Sequence, residues 1–253
     1  MYLRSTDNVT IGVWYTETTS PPSDKLVLYF HGNGEHRGWA AEKTRMYMHL
    51  PFHANVLGVD YRGFGDSTFV WPTEPGLYDD ARTAYTHALA MGFPPHRILV
   101  HGYSLGSAVA ARLVHTLCHT HATGCPGGLL LEAPFTSIPN VVQDRLWFNL
   151  SAYIHHPFPT QDILGDIPVP ILIVHGTHDR VVPFRHGATL ATMNDQTIVF
   201  CPVDGGTHMT SFDHADTRAC ALEWSQQIWR TRCRQWTPTE LFQKRFLGVT
   251  PRM

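Results

Sequence analysis

The sequence lacks the features by which several classes of protein are recognised. Its charge is nearly balanced, with 19 lysines and arginines against 21 aspartates and glutamates. Proteins that bind nucleic acid usually carry a basic excess, so no nucleic-acid partner is expected. No apolar run approaches the roughly 18 residues that cross a bilayer, so no transmembrane helix is predicted. The first residues also lack the apolar block and the cleavage site of a secretory signal.

Cysteine is sparse as well. The five cysteines are odd in number, widely spaced and without a CxxC pair, which argues against a zinc ribbon and a disulfide scaffold. The 17 histidines form no HExxH motif and no cluster with cysteine, so neither a metal nor another cofactor is expected. Reduced cysteines and the missing signal predict a cytoplasmic protein, or one at the periphery of intracellular membranes.

The 253 residues are enough for one large hydrophobic core, and neither a repeat nor a linker divides them. Apolar runs predict strands over 9–15, 25–32, 55–61, 97–103, 127–133, 170–176 and 196–202. Helical patterns between them predict helices over 36–50, 75–91, 105–119, 184–193 and 214–233. This alternation predicts a single α/β domain over residues 1–253, with a mostly parallel sheet and helices on both faces.

The polar motifs fall where such a sheet places its ligands. HGNG, DYRG, GYSLG, GTHD and GGTH each follow directly on an apolar run. In a parallel sheet these positions lie beyond the carboxyl ends of the strands, where ligands bind. In and after DYRG, we interpret Asp60, Arg62 and Asp66 as groups that hold a loop in place.

Residues 136–167 interrupt the alternation with three prolines and a cluster of apolar side chains. We interpret this stretch as a short lid over the site, and an ordinary crossover packed on the sheet is the alternative. The predicted substrate-contacting residues of the lid are Trp147, Phe148 and Tyr153.

Ser104 is the predicted nucleophile. It lies in Gly102-Tyr103-Ser104-Leu105-Gly106, between a predicted strand and a predicted helix. A serine hydroxyl is a weak nucleophile, so it needs an exposed, strained turn and a nearby base. The flanking glycines let the strand and the helix approach closely around that turn.

A nucleophilic serine also needs an acid and a histidine, which follow it along the chain in that order. His208 follows the last predicted strand on a glycine-rich turn, and Asp179 follows the strand before it in GTHDRVVP. These two residues are the predicted base and acid. Glu132, at the end of an earlier strand, is a rival for the acid. The competing histidines are His31, His101, His175 and His214.

The reaction would further need hydrogen-bond donors for an oxygen that becomes negative. In this architecture one donor is the backbone N–H that follows the nucleophile, here that of Leu105. The second comes from the loop after an early strand, where HGNG offers Asn33. Leu105 and Asn33 are therefore the predicted oxyanion hole.

Seven segments, taken in order, resemble those of serine α/β-hydrolases over about residues 9–230: VTIGVW, LYFHGNGEHRG, DYRGFGDS, GYSLGSAVA, LLLEAPFTSI, HGTHDRVVPF and GGTH. More narrowly, the sequence is similar to the lysophosphatidylserine and monoacylglycerol lipases of the abhydrolase-domain group. The resemblance implies the triad Ser104, Asp179 and His208. Members of that group usually carry an N-terminal membrane anchor, whereas this sequence begins almost at its first predicted strand.

We therefore expect a serine hydrolase that cleaves the carboxylic ester of a lipid, a monoacylglycerol or a lysophospholipid, through an acyl-enzyme on Ser104. One alternative is a thioesterase that removes palmitate from proteins. The other is a non-catalytic binding protein on the same fold, which the intact serine, acid and histidine disfavour. The expected partner is a lipid or small-ester substrate. Peripheral contact with a membrane is left open, and the sequence indicates no protein partner.

Overall fold

The computed structural model describes residues 1–18, 21–49, 52–120, 123–146 and 151–230, and eight strands of these residues form one sheet. Numbered along the chain, the strands are β1 (Tyr2–Arg4), β2 (Thr10–Thr16), β3 (Leu26–Phe30), β4 (Asn55–Val59), β5 (Ile98–Tyr103), β6 (Gly128–Glu132), β7 (Ile171–Gly176) and β8 (Ile198–Val203). Their order across the sheet is β1-β2-β4-β3-β5-β6-β7-β8.

The six strands from β3 to β8 run parallel, while β1 and β2 are added at one edge in antiparallel orientation. This arrangement confirms the predicted fold class. β1 was not predicted, because its three residues are mostly exposed at the edge of the sheet and carry no apolar run.

Helices cover both faces of the sheet. They are α1 (Ala41–Met48), α2 (Glu74–Ala90), α3 (Leu105–Thr120), α4 (Ile138–Gln143), α5 (Arg185–Ala191) and α6 (Ala215–Arg230). α2 and α3 pack in the core on one face, and α1 and α6 pack in the core on the other. The strands β3 to β7 are thus buried on both sides, as their apolar runs predicted. None of the helices in the described ranges combines the length and the hydropathy that a membrane crossing needs.

The stretch over 136–167 has two different parts. Its second part packs into the core and contributes four side chains that are at most 7% exposed, namely Phe158, Ile163, Leu164 and Ile167. That part has the properties of a crossover packed on the sheet, which was the alternative to a lid. Its first part contains α4, and residues 147–150 lie outside the described residues.

Two cysteines are joined, which the sequence did not predict. Cys118 at the end of α3 forms a disulfide with Cys125, and their Cα atoms lie 4.8 Å apart. Gly124, at φ +81°, lies in the turn that brings them together. The expectation of reduced cysteines is therefore corrected for this pair.

Two glycines set how closely α3 lies against the sheet. A Cβ atom on Gly102 of β5 would lie 2.1 Å from the carbonyl oxygen of Gly106 in α3. A Cβ atom on Gly106 would lie 2.2 Å from the carbonyl oxygen of Phe30 in β3. Both clashes are with backbone atoms, which cannot rotate away as a flexible side chain can. The start of α3 can therefore contact β3 and β5 only because these residues lack side chains.

We expect Gly106→Ala to lower the free energy of unfolding by about 1–3 kcal/mol, because the added methyl group overpacks a backbone contact. Gly58→Ala is the matched control, since its Cβ would lie 3.6 Å from its nearest neighbour, the Cβ of Arg37. The midpoint of thermal unfolding of both variants measures this loss, because each kcal/mol lowers the midpoint by roughly 2–4 °C in a chain of this size. Equal midpoints for the two variants would contradict the packing described.

Candidate active site

Ser104 occupies a sharp turn between β5 and α3. Its φ of +51° lies in the left-handed region, which non-glycine residues seldom adopt. The turn is held from both sides, because the Ser104 N–H donates to the carbonyl of Glu132 at 2.9 Å and the Ser104 carbonyl accepts from the Ser107 N–H at 2.9 Å. The Ser107 hydroxyl donates to the same carbonyl at 2.6 Å. The hydroxyl of Ser104 is thus presented at the carboxyl end of the sheet, as GxSxG predicted.

His208 lies beside this turn, in the loop that follows β8. Its Nε2 is 3.1 Å from the Ser104 Oγ, and its side chain is largely buried. The loop turns at Gly205, which has a φ of +71°. The Tyr103 hydroxyl donates to the carbonyl of His208 at 3.2 Å. The backbone of His208 is therefore tied to the residue that precedes the serine.

Asp179 contacts the other side of the His208 ring, with its Oδ2 2.7 Å from Nδ1. Its Oδ1 accepts the N–H groups of Val181 and Val182 at 2.8 and 2.9 Å. A carboxylate can only accept, so Nδ1 of His208 carries the proton and Nε2 is left to accept from the Ser104 hydroxyl. The three residues form one hydrogen-bonded chain.

The Asp179 carboxyl is ionised at neutral pH. Burial by itself would raise its pKa, but hydrogen bonds from His175, His208 and the Val182 N–H outweigh burial and hold the pKa far below its usual range. A negative charge fixed beside Nδ1 favours the imidazolium form of His208, as a base that accepts a proton requires.

Glu132 is not a partner of His208. Its fully buried carboxylate lies 2.7 Å from the Nζ of Lys43 and 3.3 Å from the Nε2 of His101. Two competing histidines have other partners: His31 Nδ1 lies 2.8 Å from the Gly32 carbonyl, and His175 Nε2 lies 2.9 Å from the Val182 carbonyl and 3.4 Å from the Asp179 Oδ2. Of the two acids that the sequence offered, the structure brings Asp179 to the imidazole.

The two predicted oxyanion donors belong to the residue after the serine and to the loop after β3. Leu105 is the first residue of α3, so its N–H has no acceptor within the helix. The loop after β3 passes close by, since a Cβ on Gly32 would lie 3.3 Å from the Cβ of Ser104. Asn33 is the next residue in this loop and is exposed.

The loop that holds Asn33 is fixed by charged groups. Arg37, just after the loop, forms ion pairs with Asp60 at the end of β4 and with Asp66 further on. Arg62 bonds in turn to Asp80 of α2 at 2.8 Å. Asp60, Arg62 and Asp66 thus hold loops, as predicted from the sequence.

A cleft of about 540 Å³ opens beside His208 and is lined by His178, Arg180, Val181, Thr207, His208 and Met209. Val181 and Met209 are about half exposed, so the cleft has an apolar part. Arg180 forms no ion pair among the side chains of the described ranges. The cleft therefore offers an apolar wall and a guanidinium at the same opening.

The first part of the 136–167 stretch is fastened to the loop that carries the acid. Arg145 donates to the carbonyls of Arg180 and Val181, the second at 2.8 Å. Asp144 accepts from the Nε2 of His186 at 2.7 Å. No local pattern in the sequence predicts these contacts, because they join residues 35 to 42 positions apart.

His186 acts in this contact as a neutral ring. Burial, with Arg185 next to it, lowers the pKa of His186 to about 4. Its Nδ1 can then accept from the Thr136 hydroxyl, 2.8 Å away, while Nε2 carries the proton that Asp144 accepts. One imidazole therefore fixes both ends of the α4 segment against the start of α5.

Of the three predicted lid residues, Tyr153 alone lies in the described ranges. Trp147 and Phe148 lie outside the described residues. Tyr153 lies in a short 3₁₀ helix, Ser151–Tyr153, and its side chain is 77% exposed. A substrate contact by these three residues stays a prediction.

Comparisons with known proteins agree with this geometry. The chain is 32% identical over 225 residues to the human protein ABHD12B, which covers 75% of this chain and 60% of that protein. It is 30% identical over 230 residues to the lysophosphatidylserine lipase ABHD12 of Danio rerio, which covers 78% of this chain and 58% of that protein. The chain thus spans somewhat less than two thirds of the length of these relatives.

Solved structures with the same fold include an α/β hydrolase from Vibrio vulnificus, with a TM-score of 0.70 and 25% identity, covering 90% of this chain and 78% of that one. Est1E from Butyrivibrio proteoclasticus with bound ferulic acid has a TM-score of 0.69 at 17% identity, covering 89% and 96%. The family model described as serine aminopeptidase S33 matches residues 21–164, more than half of the chain. The resemblance seen in the sequence is confirmed, and the chain belongs to the serine aminopeptidase S33 family of α/β-hydrolases.

Proposed function

We propose that this protein is a serine hydrolase that cleaves the carboxylic ester of a monoacyl lipid. The observation that carries the proposal is the hydrogen-bonded chain from Asp179 through His208 to Ser104, which lies beside an open cleft. Relatives named as lysophosphatidylserine lipases support a lipid ester as the substrate.

In the first step the Ser104 Oγ attacks the acyl carbonyl carbon while Nε2 of His208 takes the hydroxyl proton. The carbonyl oxygen becomes negative and accepts hydrogen bonds from the N–H groups of Leu105 and Asn33. His208 then gives its proton to the oxygen of the leaving alcohol, the C–O bond breaks, and the acyl group stays on Ser104.

Water completes the cycle. Nε2 of His208 removes a proton from a water molecule, whose oxygen attacks the acyl carbon and forms a second oxyanion intermediate. The Ser104 oxygen leaves and takes the proton from His208, so the products are a fatty acid and the free enzyme. Asp179 keeps its charge throughout and stabilises the imidazolium in both steps.

The substrate is the finer part of the proposal. Val181 and Met209 offer an apolar surface to an acyl chain, and the cleft that they line also presents Arg180. A guanidinium without an ion-pair partner favours a phosphate or carboxylate over a neutral glycerol. A lysophospholipid therefore fits this cleft better than a monoacylglycerol. The lid predicted over 136–167 stays a proposal, and Phe158, Ile163, Leu164 and Ile167 of that stretch are core residues.

A substrate panel tests the proposal. It holds a lysophosphatidylserine, a monoacylglycerol, a palmitoyl thioester and an aminoacyl p-nitroanilide, the last because the family model bears the name of an aminopeptidase. We expect kcat/KM, measured below the critical micelle concentration, to be highest for the lysophospholipid. A preference for the thioester would indicate a depalmitoylase, and no turnover of any ester would indicate a binding protein. Peripheral contact with a membrane stays a prediction.

Ser104→Ala is expected to abolish both ester hydrolysis and labelling by a fluorophosphonate probe, because it removes the nucleophile. The midpoint of thermal unfolding should move little, since the Ser104 side chain is only partly buried. Ser225→Ala is the control and should keep its labelling, because the Ser225 hydroxyl donates to the Leu222 carbonyl within α6 and not to the serine turn. Labelling of the Ser104→Ala variant at the wild-type rate would mean that another residue is the nucleophile.

Asp179→Asn should lower kcat on the order of 10⁴-fold, because an amide cannot stabilise the imidazolium and favours the wrong tautomer of the ring. Glu132→Gln, the matched change at the rival acid, should lower kcat by about tenfold at most. Steady-state kinetics on one p-nitrophenyl ester measures both. A larger loss of kcat in Glu132→Gln than in Asp179→Asn would mean that Glu132 is the catalytic acid.

Arg180→Gln should lower kcat/KM for the lysophosphatidylserine by about tenfold, the effect of losing one charge-assisted hydrogen bond at an exposed site. The value for the monoacylglycerol should stay within about twofold. Arg82→Gln removes the same charge from α2, away from this cleft, and controls for a general effect of surface charge. Equal losses for both substrates would exclude a headgroup contact by Arg180.

A further inference from the structure

A second set of side chains lies beneath the serine turn and is used by none of the steps above. Lys43 of α1 reaches between the sheet and the loop of His208, where its Nζ is 2.7 Å from the Glu132 carboxylate. The same Nζ lies 4.1 Å from the centre of the Tyr103 ring. An ammonium at that distance is attracted by the face of the ring, so Lys43 holds Tyr103 in place.

Tyr103 connects this cation to the catalytic base. Its ring centre is 5.2 Å from that of His208, and its hydroxyl donates to the His208 carbonyl at 3.2 Å. The hydroxyl also lies 3.1 Å from the Met209 sulfur, which is a much weaker acceptor. Because Tyr103 directly precedes Ser104, one side chain spans from the nucleophile's turn to the backbone of the base.

Glu132 completes the connection through the backbone. Its carbonyl accepts the Ser104 N–H at 2.9 Å, while its carboxylate holds Lys43. Burial by itself would raise the pKa of Glu132, but Lys43 and His101 outweigh burial and hold it below its usual value. The carboxylate is therefore charged at neutral pH and keeps the cation in position.

We propose that Tyr103, Lys43 and Glu132 are positioning residues that fix His208 relative to Ser104. The inference rests on the proposed function, since it concerns the geometry of the same base and nucleophile. Proton transfer is sensitive to the distance between the two heavy atoms, and a shift of about 1 Å can cost 10²-fold in rate. Because His208 lies in a loop, its hydrogen bond to Tyr103 at the end of β5 limits the movement of the base.

Tyr103→Phe removes the hydrogen bond from the Tyr103 hydroxyl to the His208 carbonyl and keeps the aromatic ring. Tyr85→Phe is a matched control, because Tyr85 is also buried and its hydroxyl also donates to a backbone carbonyl at 3.2 Å, that of Gly124 instead of that of His208. Both variants lose one buried hydrogen bond and should unfold at similarly lowered temperatures. Only Tyr103→Phe should lower kcat, by about fivefold to tenfold with KM unchanged, and slow fluorophosphonate labelling by the same factor.

A readout without substrate separates this inference from the proposed function. The Nδ1–H proton of His208, held by Asp179, should give a downfield proton NMR signal that exchanges faster with water in Tyr103→Phe than in Tyr85→Phe. An inactive wild-type protein would contradict the proposed function, while this signal would still report the position of His208. Wild-type kcat, labelling and exchange in Tyr103→Phe, or equal losses in Tyr85→Phe, would overturn the inference.

The role of the ion pair between Lys43 and Glu132 is tested with a separate variant. Lys43→Met alone would leave a buried carboxylate without its cation, and the lost stability would hide any effect on the site. The double variant Lys43→Met/Glu132→Gln removes both charges and should unfold close to the wild-type temperature, with kcat lowered about as far as in Tyr103→Phe. Lys43→Arg keeps the cation and should retain kcat within about threefold. Wild-type kcat in the double variant would overturn the role of the pair.

Discussion

The close contact between the start of α3 and two neighbouring strands is the constraint on which the rest of the site depends. Gly102 and Gly106 allow the contact, because a single methyl group at either position would meet a backbone oxygen at about 2 Å. The chain can then reverse within one residue, and Ser104 takes the left-handed conformation that this reversal demands. A side chain in such a turn points away from both elements, so its hydroxyl is free to react.

The other groups reach the serine because parallel strands end at the same edge. The loops after β3, β7 and β8 deliver Asn33, Asp179 and His208 to the turn after β5. Each loop is then fixed by its own bonds, since a base or donor in a mobile loop would lose the geometry that catalysis needs. The acid loop is held most firmly, because its own N–H groups bind Asp179 and Arg145 binds its carbonyls.

The sequence predicted those parts of the site whose chemistry demands a local pattern. GxSxG between a strand and a helix indicates Ser104, because a strained turn needs small neighbours. Asp179 and Glu132 were candidate acids because each lies at the end of a predicted strand. The sequence favoured Asp179 over Glu132, but the partners of Glu132 are visible only in the structure. Its carboxylate lies 2.7 Å from the Nζ of Lys43 in α1 and 3.3 Å from the Nε2 of His101, and it makes no bond to His208 among the described residues.

Contacts between distant segments were not predictable in the same way. The bonds of Arg145 and of His186 join segments about 35 to 42 positions apart, and the sequence did not predict the disulfide of Cys118. A lid over 136–167 stays a prediction. The packing of its second part against the core is not encoded in the periodicity of the sequence.

The most direct test asks whether Ser104 carries the acyl group during turnover. A p-nitrophenyl dodecanoate has a good leaving group, so deacylation should limit the rate and the acyl-enzyme should accumulate. Acid-quenched protein, digested and analysed by mass spectrometry, should carry one dodecanoyl group per chain on the peptide that contains Ser104, together with an equal burst of p-nitrophenolate. Hydrolysis with no burst and no adduct, or an adduct on another residue, would contradict the account.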